Sequence, residues 1–356
     1  MLSPKQMQYN IVGAMSGTSL DGLDLVLVNF TKVEKKWHFN VEKAETITYP
    51  KELLEQLKFA IDQEKEEIKA LDFRLGEFIG LAVKEFLGIN QAVDFVASHG
   101  HTIFHQPEKS ITMQIGNGQQ ITKTCGLPVI NNFRTLDVSL GGQGAPLVPI
   151  GDRDLFSTYT YCLNLGGIAN VSFQSEGNRV AFDICPFNMA LNELANEKGL
   201  SFDDRGQIAS KGVVNQDLLQ ALNQIPYLSQ APPKSLGLED YRKFWLPMVA
   251  SSSISVEDRM STFSEHAAIQ VAKSMKGTAG EKVLITGGGT YHDHFISRIQ
   301  ALCKSTICIP DTEIINFKEA VVFAYLGLLR HLGEPNCLCS VTGASRNSSG
   351  GEIYGF

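Results

Sequence analysis

Asp183 ends the apolar run RVAFD, three residues before Pro186. A carboxylate placed there is either a general base for water or the cap of a following helix. The residues alone leave both open. Arg134 and Asp137, in FRTLD, suit the holding of a substrate. A guanidinium can grip a carboxylate with two parallel hydrogen bonds; the alternative is a surface ion pair of little worth. Glu319 opens the apolar run EAVVFAYLG, where an acid either complements a helix dipole or faces a substrate. His99, His101 and His105, with His292 and His294, raise a zinc hydrolase as a second class of reading. Gly100 and Pro107 mark the first histidine group as a loop, which lacks the helical spacing that an i, i+4 ligand pair needs.

Of the 32 glycines, eleven sit in four clusters: Gly13 to Gly22, Gly141 to Gly144, Gly166-Gly167 and Gly287 to Gly289. Any one of them is explained by turn geometry, since glycine adopts positive φ without steric cost. Together they also fit a phosphate cradle, in which missing side chains let backbone N–H groups approach phosphate oxygens. In GTSLDG, Thr18 and Ser19 add hydroxyls, and Asp21 adds a carboxylate able to hold Mg²⁺ directly or through water. TGGGTYHDHF reads as a strand delivering Gly287, Gly288 and Gly289 to a helix N-terminus, an electropositive end. Neither a P-loop nor a Rossmann fingerprint is present.

The elements that must position these residues alternate between strand and helix, which is α/β architecture. YNIVGAMSGTSLDGLDLVLVNF and YCLNLGGIANVSF share one grammar of strand, glycine corner and strand, about 150 residues apart, and predict two similar halves. Helices are expected after Pro50, over the Leu71 to Phe86 periodicity, after Pro186 as far as Gly199, over Val256 to Lys276, in HFISRIQAL, and in the buried run from Glu319. VDFVASHGHTIFHQP is expected to leave its strand for a histidine-rich loop, and APPKSLG is expected to be a loop.

Composition narrows the classes. The 356 residues carry 43% hydrophobic and 19% charged side chains, as a globular chain of two domains does. A formal charge of −7 offers no basic face for nucleic acid or anionic lipid. No run of 18 apolar residues exists to span a membrane, and the start lacks the apolar core of a signal peptide. Seven cysteines without a CxxC pair read as reduced thiols in a cytoplasm.

MSGTSLDGLD, FRTLDVSLGGQGAPLVP, LNLGGIANVSF, PPKSLG, ITGGGTYHDHFI, EAVVFAYLG and SVTGAS run in order over nearly the whole chain. In this they resemble the actin, Hsp70 and sugar-kinase superfamily, and within it the anhydro-N-acetylmuramic acid kinases. The resemblance implies a two-domain actin-like ATPase (ribonuclease H-like) fold with an interdomain nucleotide cleft. Residues 1–132 would form the first domain, completed by the last few C-terminal residues, and 133–356 the second. It implies ATP and Mg²⁺ as cofactors, a small sugar as substrate, no nucleic-acid or membrane partner, and a homodimer. Ser16, Gly17, Thr18, Ser19, Asp21, Gly22, Gly166, Gly167, Gly287, Gly288 and Gly289 would meet the nucleotide, with Asp21 at the metal. His99, Arg134, Asp137, Asn188 and Glu319 would meet the sugar, and Asp183 would be the base. The family's Asp-Thr-Gly-Pro-Gly-Asn reads Asp183-Ile184-Cys185-Pro186-Phe187-Asn188 here, with Phe187 expected to narrow the pocket. His-Gly-Gln-Thr reads His99-Gly100-His101-Thr102. The implied reaction opens the 1,6-anhydro ring with water and phosphorylates the freed oxygen. Another sugar kinase of the superfamily is the nearest alternative; a chaperone-like ATPase would need a peptide-binding domain for which no residues remain.

Overall fold

The computed structural model describes residues 7–17, 20–89, 91–250, 253–275 and 277–356. Two compact units emerge: residues 1–155 with 317–356, and residues 156–316.

In the first unit β1 (Met7–Ser16), β2 (Leu23–Val33) and β3 (Lys36–Ile47) form an antiparallel meander. β4 (Phe95–Gln106) lies parallel to β1, and β6 (Val129–Asn131) lies parallel to β4. β5 (Ile111–Ile115) pairs with β4. The strand β12 (Glu352–Tyr354), near the end of the chain, pairs with β6. The helix Lys65–Leu87 lays Leu71, Leu75, Ile79, Val83 and Phe86 on one face of the sheet. The helix Thr312–His331 covers the other, where Tyr325 meets Phe30 and Phe323 meets Phe133. That approach is close enough to need two glycines. A Cβ on Gly13 would strike the Ala320 carbonyl, and one on Gly327 would stand 2.6 Å from the Ala97 methyl. Gly13 therefore serves helix-on-sheet packing.

The second unit repeats the plan. β7 (Tyr161–Leu165), β8 (Ile168–Ser175) and β9 (Asn178–Pro186) form the meander. β10 (Lys282–Thr286) and β11 (Thr306–Cys308) extend it in parallel on the β7 side. The strand order β3-β2-β1-β4-β6 of the first sheet is matched by β9-β8-β7-β10-β11 in the second. This is the ribonuclease H-like order, and the two similar halves read from the glycine corners are present. The helix Val256–Ser274 buries Met260, Phe263, Ala267 and Val271 in the core of this unit.

Two expectations need correction. The boundary falls after residue 155, not 132, and the C-terminal return begins at 317. The cause is long-range bonding of residues 133–155: Asp137 is tied to Cys337 and Thr342, and Asp152 to Lys318 at 2.6 Å. The histidine segment is not a loop either. β4 runs through to Gln106, and Gly100 stays in the strand at φ +71°, where a Cβ would collide with the Ile115 carbonyl.

Candidate active site

In the first unit β1 ends at Ser16, whose hydroxyl is buried and already engaged. It accepts from Tyr49 Oη at 2.6 Å and faces His101 Nδ1 at 3.0 Å. Burial pushes the Tyr49 phenol up to about 12, against the Ser16 hydrogen bond. Ser16 thus anchors the start of the turn. Thr18 and Ser19 lie outside the described residues. Leu20 donates to the Gly17 carbonyl at φ +58°. Gly22 is dictated by packing, since a Cβ there would lie 2.5 Å from Thr46 Cγ2 and 2.9 Å from the Ile47 carbonyl. Asp21 is exposed. Asp24, not singled out from the sequence, accepts from Thr46 at 2.6 Å. Its pKa is raised first by burial and further by the charge of Asp21, with the Thr46 bond opposing. Two carboxylates of like charge thus flank the turn.

His99 and Arg134 form one assembly. His99 Nδ1 is 2.9 Å from the Gly100 carbonyl, so it carries the proton, and Nε2 accepts from Arg134 Nε at 3.1 Å and Nη2 at 2.9 Å. Burial, then the Arg134 charge, hold the imidazole well below its ordinary pKa. A neutral histidine with both nitrogens engaged orients Arg134 and has no ring nitrogen left for a sugar, which corrects the direct role expected of it. Arg134 Nη1 also donates to the Gly144 carbonyl at 2.8 Å. Glu319 lies on the same helix as Lys318, toward Arg134 and Asp24. Its pKa is raised by desolvation and Asp24, while Arg134 and Lys318 pull it down.

Asp137 is corrected outright. It is 1% exposed and accepts from Cys337 Sγ at 3.0 Å, Thr342 Oγ1 at 2.8 Å and the Gly144 N–H at 2.8 Å. Its carboxylate holds the Gly141–Gly144 turn and has no oxygen to offer a substrate.

In the second unit three predicted segments converge. The Gly166 carbonyl accepts from Asn188 N–H at 3.2 Å, and the Gly167 carbonyl from Phe187 and Met189 at 2.8 and 3.2 Å. The Asn188 side chain donates to the Leu165 carbonyl at 3.3 Å. The β7–β8 corner is therefore docked on the first turn of the helix Asn188–Asn196. The three glycines at 287–289 differ in kind. Gly287 has φ +86°. Gly289 faces the buried Phe187 ring and Leu165, with no room for a Cβ, whereas Gly288 faces open space with Asn188 Nδ2 at 3.9 Å. Gly288 and Gly289 open a 3₁₀ turn, Gly288–Tyr291, that precedes the helix Asp293–Leu302, whose N-terminus is capped by His292 Nδ1 accepting from Phe295 at 3.2 Å. The expectation of a free helix end beside the glycines is corrected by that cap. Phe187 fills the core against Phe295 at 4.3 Å, not a pocket.

Asp183 is no helix cap: the cap position is Phe187, without a side-chain bond. Asp183 lies in β9 opposite Asn170, beside a bulge in which Ile184 is the extra residue. Its backbone carbonyl accepts from Tyr227 Oη at 2.7 Å, its N–H donates to the Lys234 carbonyl at 3.2 Å, and Oδ2 accepts from Leu236 N–H at 2.9 Å. Burial pushes the carboxyl up to about 6, with the Leu236 bond opposing. A carboxylate at that pKa, with one oxygen engaged, has the properties of a base working near neutrality. Tyr227 was not singled out from the sequence; Lys234 and Leu236 lie in PPKSLG, whose order along the chain was the only signal.

The histidines of the zinc reading have other duties: His101 meets Ser16, His105 meets Thr112 at 3.1 Å, and His292 caps a helix. Among the described residues no group of three or more His, Cys, Asp or Glu is placed to hold a metal ion. No described helix is long and apolar enough to cross a membrane.

Two sheets of one strand order, each opening on a hairpin that turns at glycines, define a protein of the actin-like ATPase and sugar-kinase class. The particular family follows from comparison. The family model described as anhydro-N-acetylmuramic acid kinase matches residues 9–355. The anhydro-N-acetylmuramic acid kinases of Shewanella baltica (strain OS223) and Vibrio parahaemolyticus are each 34% identical to this chain, over 95% and 98% of it and 96% and 99% of their own lengths. The chain belongs to the anhydro-N-acetylmuramic acid kinase family and is a kinase, with ATP as phosphoryl donor and a small sugar as acceptor. Among solved structures, an activator of 2-hydroxyisocaproyl-CoA dehydratase from Clostridium difficile with bound ADPNP covers 92% of this chain and 97% of its own (12% identity, TM-score 0.39). A ligand-bound xylulose kinase from Lactobacillus acidophilus covers 90% and 89% (10% identity, TM-score 0.39).

Proposed function

We propose that this kinase opens 1,6-anhydro-N-acetylmuramic acid with water and phosphorylates it at O6, as a step in the recycling of cell-wall sugars. Water attacks the anomeric carbon and gives a proton to Asp183. The bond from that carbon to O6 breaks, and O6 takes the γ-phosphoryl group of ATP as ADP leaves. The carrying observation is Asp183, raised to about 6 and held through Oδ2 alone. Arg134, oriented by His99 and the Gly144 carbonyl, is assigned to the lactyl carboxylate, with Glu319 and Asn188 toward the sugar. Gly17, Asp21, Gly166, Gly167, Gly287 and Gly288 are assigned to the nucleotide. Mg²⁺ fits at Asp21, where a dication would relieve the repulsion between Asp21 and Asp24; bound there it would neutralise phosphate charge. Seven free thiols support a cytoplasmic setting.

The test is the purified chain with Mg·ATP and either the anhydro sugar or ordinary N-acetylmuramic acid. One ADP should form per sugar phosphate from the anhydro substrate, with turnover at least about 10²-fold above that on the ordinary sugar, which has no ring for a positioned base to open. Equal turnover on both would overturn the assignment.

A further inference from the structure

Asp183 is held by a segment that the implied reaction leaves without a role. Lys234 and Leu236 run beside β9 and bond to Asp183 through the Lys234 carbonyl and the Leu236 N–H. The Lys234 side chain turns the other way. Its ammonium donates to the Tyr227 and Leu228 carbonyls, both at 3.3 Å, and stands 4.6 Å from the Tyr227 ring centre and 5.6 Å from that of Phe182. Tyr227 in turn donates its hydroxyl to the Asp183 carbonyl. The path is closed: Asp183 to Lys234 by backbone, Lys234 to Tyr227 by the ammonium, Tyr227 back to Asp183 by the phenol.

We infer that Lys234 is a positioning residue for the base: by clamping the turn Pro226–Ser229 it keeps the Leu236 N–H on Asp183 Oδ2, so that Oδ1 alone is presented to water. The inference rests on Asp183 being the base. Lys234 touches neither carboxylate oxygen; its ammonium is spent on two backbone carbonyls and two ring faces. The charged and titratable groups around Asp183 are Cys185 on β9, Tyr227 on the turn and Lys234 on the segment, with Asp240 facing Tyr227.

The experiment is a pH profile of kcat/KM. Lys234→Met keeps the stem and removes the clamp. With the Leu236 bond lost, one influence that lowers the Asp183 pKa is gone, so the acid limb should move up by about one pH unit, the equivalent of one hydrogen bond to a charged group. kcat should fall by about tenfold with KM for ATP unchanged, and Lys234→Arg should restore both. Leu236→Pro removes the N–H without touching a charge and should give the same shift, and the double variant should shift no further. Full additivity would mean that Lys234 acts by charge through space, and an unmoved limb in Lys234→Met would mean that it only supports the fold; either result overturns the inference. If Lys234→Met does not fold, Leu236→Pro against Lys234→Arg carries the same test. Asp183→Asn separates the two readings: turnover that survives it removes Asp183 as the base, whereas lost turnover with an unmoved limb in Lys234→Met removes only the clamp.

Discussion

The β1–β2 and β7–β8 hairpins occupy the same place in two sheets of the same order, yet they carry different chemistry. The first corner is long. It starts at the bonded Ser16, turns at Leu20 and keeps Asp21 exposed, with Asp24 just inside β2. The second is only Gly166-Gly167, and its carbonyls are taken by the N–H groups of Phe187, Asn188 and Met189. A long corner can carry side chains that act; a two-residue corner offers backbone alone. The second unit therefore places its carboxylate elsewhere, on β9, where the Ile184 bulge sits beside Asp183. The carboxylates divide in the same way. Asp137, in the first unit, is saturated by three donors, while Asp183 holds one oxygen in reserve.

The largest effect expected from this contrast is at Asp183. Asn keeps the shape and can still accept from Leu236, but cannot take a proton from water. Turnover of Asp183→Asn should fall by at least about 10²-fold, the lower end of what a positioned base contributes, with KM for ATP little changed. Near-normal turnover would erase the distinction between the two carboxylates. Asp137→Asn should do the reverse: one buried acceptor becomes a donor facing the Gly144 N–H, which costs about 2 kcal/mol of stability, and what activity remains should keep its KM for sugar. A thermal melt and a substrate titration on the same two proteins decide it.

Arg134→Lys comes next. An ammonium cannot bond His99, the Gly144 carbonyl and a substrate carboxylate together, so kcat/KM for the anhydro sugar should drop by at least about tenfold, one charge-assisted hydrogen bond. An analogue lacking the lactyl carboxylate should show no such drop; an equal loss on both would unseat that contact. Smaller again are the neighbours Gly288 and Gly289. Gly289→Ala should destabilise by about 1–3 kcal/mol through overpacking against Phe187 and Leu165, and Phe187→Leu should relieve part of it. Gly288→Ala should leave the melting temperature alone and weaken ATP binding. Matching effects at the two positions would mean that the turn has one role, not two.

The glycine corners, the alternation of elements and the strand that carries Asp183 could be read from the sequence because each is local: a few residues with the right φ or the right period; that this strand runs on past Asp183 to Pro186 could not. What could not be read is what spans the chain. The unit boundary depends on Asp137 reaching Cys337 and Asp152 reaching Lys318, contacts that no window contains. The His99 segment looked like a loop because Gly100 and Pro107 are turn residues, yet pairing with β1 and β5 keeps it in strand, with Gly100 absorbing the bulge. Gly289 and Phe187 looked like separate entries in two motifs; in space one is glycine because the other is phenylalanine. Lys234 carried no signal beyond its place in PPKSLG, since its contacts run through a tyrosine and two carbonyls.

The smallest effect is a linkage between Asp183 and stability, and its sign is specific. Burial raises the carboxyl from 3.8 to about 6 in the folded chain. A carboxylate that is harder to ionise when folded favours the folded state in its protonated form. The penalty is therefore present above pH 6 and is relieved as pH falls from about 6 toward 4. Most structural carboxylates show the opposite sign. Asp183→Asn, which carries no charge at any pH, should be at least as stable as the parent at pH 8, and the difference should shrink by pH 5. The side chain is only partly buried, so solvent screening keeps the effect modest. Melting temperatures of both proteins at pH 8 and pH 5 measure it. A parent that is the more stable at pH 8 would mean that Asp183 is stabilised as an anion, and the contrast between a spent carboxylate and a working one would have to be given up.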